Sequence, residues 1–153
     1  MARRSRAREV ALQLLFQKDQ NDVPVPRPAV ARFVRERLLG NADLMAFALD
    51  LYDGVLTHQP AIDELVGKTA EKWRVSRMMP VDRNVLRLGA FELLHSPDSS
   101  PAAVVINEAI ELARRFATAD SPAFVNGILD KIAKTRPAPP ATAEVAAPES
   151  AAP

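Results

Sequence analysis

Apolar residues recur at helical spacing along most of the first 136 positions, and no stretch alternates apolar and polar residues over the length of a strand. The first stripe, Ala7, Val10, Ala11, Leu14 and Leu15, predicts an amphipathic helix that starts near Arg3. The stretch NDVPVPRP from Asn21 is a proline-broken connection, because proline donates no backbone hydrogen bond and restricts the residue before it. Val30, Phe33, Val34 and Leu38 mark a second helix, with Gly40 expected at C′. Asn41 is placed to cap a third, with Asp43 in its first turn and Leu44, Phe47, Ala48, Leu51, Tyr52 and Val55 on its inner face. Gln59-Pro60 is expected to break or kink that helix, with Ile62, Leu65 and Val66 continuing on a new axis.

The segment WRVSRMM from Trp73 is too short to assign. Pro80 opens a fourth helix along Val81, Val85, Leu86, Leu88 and Leu93. After a loop, SPDSS, Pro101 opens a fifth through Val105, Ala109, Leu112 and Phe116. Asp120 and Ser121 are cap candidates for the last helix, with Pro122 in its first turn and Phe124, Val125, Ile128, Leu129 and Ile132 as its stripe. Residues 137–153 are dominated by Pro, Ala, Thr and Glu and read as a disordered tail. The expected fold is all-α, a helical bundle of about six or seven helices over residues 1–136. Gly54, Gly89 and Gly127 fall inside helical patterns, where each costs about 1 kcal/mol relative to alanine. The expectation is that all three serve close helix packing.

Charge changes this picture at one place. The formal net charge is +1, but Arg3, Arg4, Arg6 and Arg8 crowd the start of the first helix with no acid among them. A helix N-terminus is the positive end of its dipole and favours acids there by roughly 0.3–1 kcal/mol per charge, so the arginines sit at the unfavourable end. Exposed guanidinium groups, free N–H donors and the dipole together form an anion site suited to a phosphate chain. Arginine without lysine points to RNA, since guanidinium stacks on bases and grips phosphates in pairs, and a single-stranded or looped RNA offers accessible bases. Phe124, near the start of the last helix, is a candidate stacking ring, with ordinary core as the alternative.

Other chemistry is excluded more readily. With no cysteine there is no disulfide, thiolate nucleophile or Cys-bound metal. His58 and His95 lack metal-ligand spacing, and no phosphate loop, nucleophile elbow or dinucleotide fingerprint is present. No catalytic residue, metal or cofactor is therefore expected. No apolar run reaches the ~20 residues of a membrane span, and the arginine-rich start lacks the apolar core of a secretory signal, so a cytoplasmic location is expected.

Four blocks, RRSRAREVALQLLF from Arg3, VDRNVLRLGAFELL from Val81, VINEAIELARRF from Val105 and DSPAFVNGILDKIA from Asp120, resemble the NusB transcription antitermination factors over residues 3 to about 136. The resemblance implies two three-helix halves. It also implies a partner, ribosomal protein S10 (NusE), with which the protein binds boxA RNA of nascent transcripts, notably of ribosomal RNA operons. That complex acts with RNA polymerase and other Nus factors to suppress premature termination, and some members are implicated as homodimers. Carried over by residue, Arg3, Arg4, Arg6 and Arg8 correspond to the RNA-binding arm, and Asp120, Ser121 and Phe124 to a second RNA-proximal segment. Phe16, Asp82 and Arg87 correspond to positions near S10. Phe16 stands where tyrosine is common, and Ala117 replaces a common glycine. NusB-like domains also begin some ribosomal RNA cytosine-5 methyltransferases, but no Rossmann unit follows and no cysteine nucleophile exists. The remaining alternative is a helical interaction module or homodimer without specific RNA recognition.

Overall fold

The computed structural model describes residues 3–96 and 100–136. Six α-helices are formed there: α1 (Arg3–Gln20), α2 (Arg27–Arg37), α3 (Ala42–Ala70), α4 (Pro80–Leu94), α5 (Ala102–Phe116) and α6 (Ser121–Ala133), with one 3₁₀ turn (Val75–Arg77) between α3 and α4. No strand occurs among the described residues, and the all-α expectation holds. Residues 97–99 of the expected SPDSS loop and the expected 137–153 tail lie outside the described residues.

Helices α1–α3 pack on one another, as do α4–α6, and the halves meet where α4 lies against α1 and α3. Helix α4 also touches α5 and α6, so it is the axis of the whole bundle. Its surroundings explain why its simple apolar stripe understates its burial: Asp82, Asn84 and every residue from Val85 to Leu93 are buried. The stripes of the other helices close around it, with Val10, Leu14 and Leu15 from α1, Leu51 and Val55 from α3, and Val125 and Leu129 from α6 all in one core. Burying one such side chain contributes about 1.5–3 kcal/mol, so the bundle's cohesion lies in this shared interior rather than in intrinsic helix propensity.

Local signals behave unevenly. Asn41 caps α3 as expected, its Oδ1 accepting from the Leu44 N–H at 3.0 Å. Helix α3 does not break at Pro60, which sits inside one continuous helix; the packing of Ile62 and Val66 into the core keeps the helix going despite the missing N–H. At the end of α2 the left-handed C′ residue is Leu39 (φ +53°), not Gly40, which follows it at φ +71°. The Gly40 N–H donates to the Arg35 carbonyl at 3.0 Å, closing a Schellman turn. The strained Leu39 side chain stands in solvent. Asp120 occupies the N-cap of α6, but its side chain makes no cap hydrogen bond. Ser121 turns instead to Thr118, accepting from its N–H at 3.2 Å.

The glycines divide. A Cβ on Gly54 would come 2.1 Å from Phe91 Cζ, and one on Gly89 would come 2.6 Å from Leu129 Cδ1, so both serve close packing. Gly127 does not: it is exposed, and a Cβ there meets nothing within 4 Å. Gly54→Ala is therefore expected to destabilise by about 1–3 kcal/mol through overpacking against a buried ring. Gly127→Ala is expected to stabilise by about 0.5–1 kcal/mol through helix propensity alone. Urea denaturation midpoints of the two variants check the contrast, and a destabilised Gly127→Ala would contradict it.

Candidate nucleic-acid interface

The four arginines of α1 do not form one uniform arm. Arg3 and Arg4 are exposed, and Arg4 lies with its guanidinium carbon 4.3 Å from the centre of the Phe47 ring. Arg6 keeps its side chain 40% exposed and donates to Glu9 Oε1 at 2.6 Å. Arg8 overturns the expectation of exposure, being only 4% exposed. One turn separates it from the helix start, and that turn carries it to the inner face.

Arg8 donates from Nε to Glu92 Oε2 at 2.7 Å and from Nη2 to Glu92 Oε1 at 2.8 Å, a forked pair with a carboxylate that is itself buried. Its Nη1 reaches Glu108 Oε1 at 3.2 Å, and Ser5 Oγ donates to the same oxygen. Burial opposes the charge on Arg8, but the hydrogen bonds and attraction of Glu92 and Glu108 outweigh it and hold its pKa above the ordinary arginine value. This side chain therefore ties α1 to α4 and α5. Glu9 makes a second bridge, accepting from Arg6 and, through Oε2, from Arg115 Nη1 at 2.8 Å. The basic start of α1 is thereby joined to the end of α5, next to the segment that leads into α6.

The exposed arginines gain a neighbour that the linear sequence does not reveal. Arg3 and Arg6 line a shallow cavity of about 420 Å³ with Arg37 from the end of α2, and the exposed Leu39 sits at its edge. Arg37 lies 4.0 Å over the Phe33 ring. Its place in this patch depends on the α2–α3 turn, and only its charge near a helix end hints at it in sequence.

The second group of candidates gathers elsewhere. Asp120, Ser121 and Phe124 line a cavity of about 300 Å³ together with Asp82, so a residue assigned to the partner surface shares a wall with residues assigned to RNA. Trp73, Arg77, Met78, Met79 and Thr118 complete it. Phe124 is half-buried and meets Trp73 edge-to-face with ring centres 6.0 Å apart, so it is neither closed core nor a free ring. Trp73 and Arg77 belong to the unassigned WRVSRMM stretch. Arg83 explains how that stretch is held: its Nη1 donates to the carbonyls of Val75, Ser76 and Met78 at 3.3–3.4 Å, while its Nε binds Asp19 at 2.8 Å.

Arg87 is buried and forked onto Asp63 at 2.8 and 3.0 Å, with Nη1 on Asn84, so it ties α4 to α3 rather than offering a free cation. Burial raises the pKa of Asp19, but hydrogen bonds from Arg83 and Asn84 and the charge of Arg87 prevail and hold it below the ordinary carboxylate range. Phe16 is exposed on α1. His58 and His95 stack with ring centres 4.1 Å apart. No group of three or more metal-ligating side chains occurs among the described residues, and none of their helices is long and apolar enough to cross a membrane.

The described residues define a two-part helical bundle with arginines gathered at the start of its first helix. Residues 5–134 match the model of the NusB family, and the chain belongs to that family. It is 46% identical over 134 residues to the transcription antitermination protein NusB of Sorangium cellulosum, covering 88% of this chain and 94% of that one. It is 43% identical over 137 residues to the NusB protein of Geobacter sulfurreducens, covering 90% and 98%. Among solved structures it resembles NusB of T. maritima at a TM-score of 0.75 and 37% identity, with 90% and 94% coverage. A structure of antitermination factors NusB and NusE in complex with dsRNA matches at a TM-score of 0.75 and 29% identity, covering 88% of this chain and 98% of that one.

Arg8→Met is expected to destabilise the fold by about 3–5 kcal/mol, because Glu92 is left buried and unpaired. Arg8→Met combined with Glu92→Leu should recover much of that loss, since the uncompensated charge goes too. Thermal melting of the two variants tests the tie, and a single Arg8→Met variant as stable as the parent protein would refute it.

Proposed function

We propose that this chain is a transcription antitermination factor that binds boxA RNA of nascent transcripts together with ribosomal protein S10 (NusE). In this reading the complex acts with RNA polymerase and other Nus factors to suppress premature termination. The observation that carries the reading is the exposed arginine patch of Arg3, Arg4 and Arg6, extended by Arg37, on the bundle of a family with a relative solved with both NusE and dsRNA. Guanidinium groups at the positive end of α1 suit a phosphate chain of either single-stranded or A-form RNA. Arg8 contributes by holding α1 in place, not by touching RNA. Asp120, Ser121 and Phe124 form a second contact region, in the segment that follows the end of α5, where Arg115 pairs with Glu9 of α1. Phe16 is the accessible member of the S10 set, whereas Arg87 supports the surface from beneath. The site of action is the cytoplasm.

A few phosphate contacts give non-specific dissociation constants near 10⁻⁴–10⁻⁶ M at physiological salt, too weak to select one RNA element. Selectivity therefore requires the partner's surface. Labelled boxA RNA and a scrambled control should bind modestly to the chain alone, and S10 should raise both affinity and discrimination. Linkage requires boxA RNA to tighten S10 binding by the same factor. Replacing Arg3, Arg4 and Arg6 with alanine should lower the slope of log affinity against log salt by about 2, at roughly 0.7 per lost contact to a single strand. The fold should survive those changes. Equal affinity for both RNAs with S10 present would instead favour an interaction module or homodimer without RNA recognition.

A further inference from the structure

An exposed arginine samples many rotamers, and a ligand that fixes one loses affinity to the ordering of its side chain. Two cations of the basic patch are already seated on aromatic rings. The guanidinium carbon of Arg37 lies 4.0 Å from the centre of the Phe33 ring, one turn earlier on α2. That of Arg4 lies 4.3 Å from the centre of the Phe47 ring on α3. Both rings are half-buried and pack against the core, whereas both arginines are exposed. Each seat is therefore fixed by the fold and opens at the surface. The guanidinium carbon of Arg8 stands 5.3 Å from the Phe47 centre, so the seat under Arg4 adjoins the buried tie to Glu92. Arg37 forms no ion pair with any described residue, whereas Arg6, beside it in the 420 Å³ cavity, donates to Glu9.

We propose that Phe33 and Phe47 are positioning residues for RNA, each holding a guanidinium at the surface in the pose in which it meets a phosphate. This deepens the RNA-binding reading above and rests on it. A carboxylate would also fix an arginine, but it would occupy N–H donors and cancel charge that a phosphate needs. An aromatic face attracts the cation through its quadrupole and carries no net charge. The guanidinium donors point outward in their own plane, so a group resting over a ring keeps them for a phosphate, which it grips in pairs. Phe33 and Arg37 are four residues apart and therefore neighbours on one face of α2. The left-handed turn at Leu39 and Gly40 ends that helix beside Arg3 and Arg6, so the ring-held cation joins theirs. Immobilising one such side chain lowers affinity about 2- to 10-fold, and that is the loss expected when its ring is removed.

The full-length protein with S10 is titrated against labelled boxA RNA, with anisotropy read at several salt concentrations. Phe33→Leu should weaken binding about 2- to 10-fold and leave the salt slope unchanged, because the charge of Arg37 remains. In an Arg37→Ala background Phe33→Leu should have no further effect, a coupling that a purely structural ring would not show. Phe33→Tyr should bind like the parent protein. Phe47→Leu and Arg4→Ala should be coupled in the same way. A second measurement needs no variant: ring-current shifts of the Arg37 and Arg4 side-chain signals should be present in the free protein and persist in the RNA complex. Loss of those shifts on RNA binding would show the arginines leaving their rings and would overturn the proposal. Additive losses in a pair, or full affinity of the ring variant beside a weakened arginine variant, would overturn it for that ring while leaving RNA binding intact. A loss confined to S10 binding, with RNA affinity unchanged, would assign the ring-held cations to the protein partner and overturn the proposal. Absence of RNA binding by the parent protein, with or without S10, would defeat both this inference and the reading on which it rests.

Discussion

The organisation of this bundle depends on one buried charge. Arg8 leaves water to meet Glu92, also buried, in a forked hydrogen-bonded pair, and Glu108 completes its surroundings. Desolvating such a pair is expensive, and only good geometry with the remaining donors satisfied recovers the cost. Here the pair is forked, and each guanidinium nitrogen donates to a carboxylate. The tie sets where α1 lies against α4 and α5, and therefore where Arg3, Arg4 and Arg6 emerge. The arginines at the start of α1 thus have two physical roles within two helical turns. The outer ones bring positive charge to the surface at the helix start, and the inner one fixes the direction in which they point.

A second set of charges does comparable work at the other end of α4. Asp19 receives Arg83 and Asn84, while Arg87 forks onto Asp63. Arg83 also holds the carbonyls of the 3₁₀ turn that connects α3 to α4. That short connection carries Trp73 and Arg77 to the cavity containing Asp82 and Phe124. Buried polar residues on the axial helix thereby connect the packing of the core to the shape of both surface regions. The placement of those two regions is a consequence of how α4 satisfies its charges.

The helices were legible because their apolar spacing is strong and their breaks carry proline, glycine or asparagine. The all-α fold and the limits of most elements follow from those signals alone. Errors arose where tertiary packing overrides a local rule. Pro60 does not break α3, since residues beyond it still bury themselves in the same core. Gly127 needs no packing explanation, whereas Gly54 and Gly89 do, a difference invisible without neighbours. The site was legible only in part. Four arginines in six positions announce a basic helix start, but helical phase alone does not reveal that Arg8 finds two acids from distant helices. Arg87 looks like a surface cation until Asp63 and Asn84 are placed around it. Trp73 and Arg77 were missed because an irregular segment has no periodicity to read. Their only sequence signal is a lone tryptophan among arginines and methionines.

The central claim is the division of labour among the α1 arginines, and the side-chain Nε–H signals of ¹⁵N-arginine NMR test it directly. In the free protein Arg8 should exchange its Nε–H slowly with water, held by Glu92, while Arg3 and Arg6 exchange fast. On addition of boxA RNA with S10, the signals of Arg3, Arg4 and Arg6 should shift and that of Arg8 should stay nearly unchanged. Fast exchange at Arg8 in the free protein, or a shift at Arg8 as large as those of the outer arginines, would contradict the account.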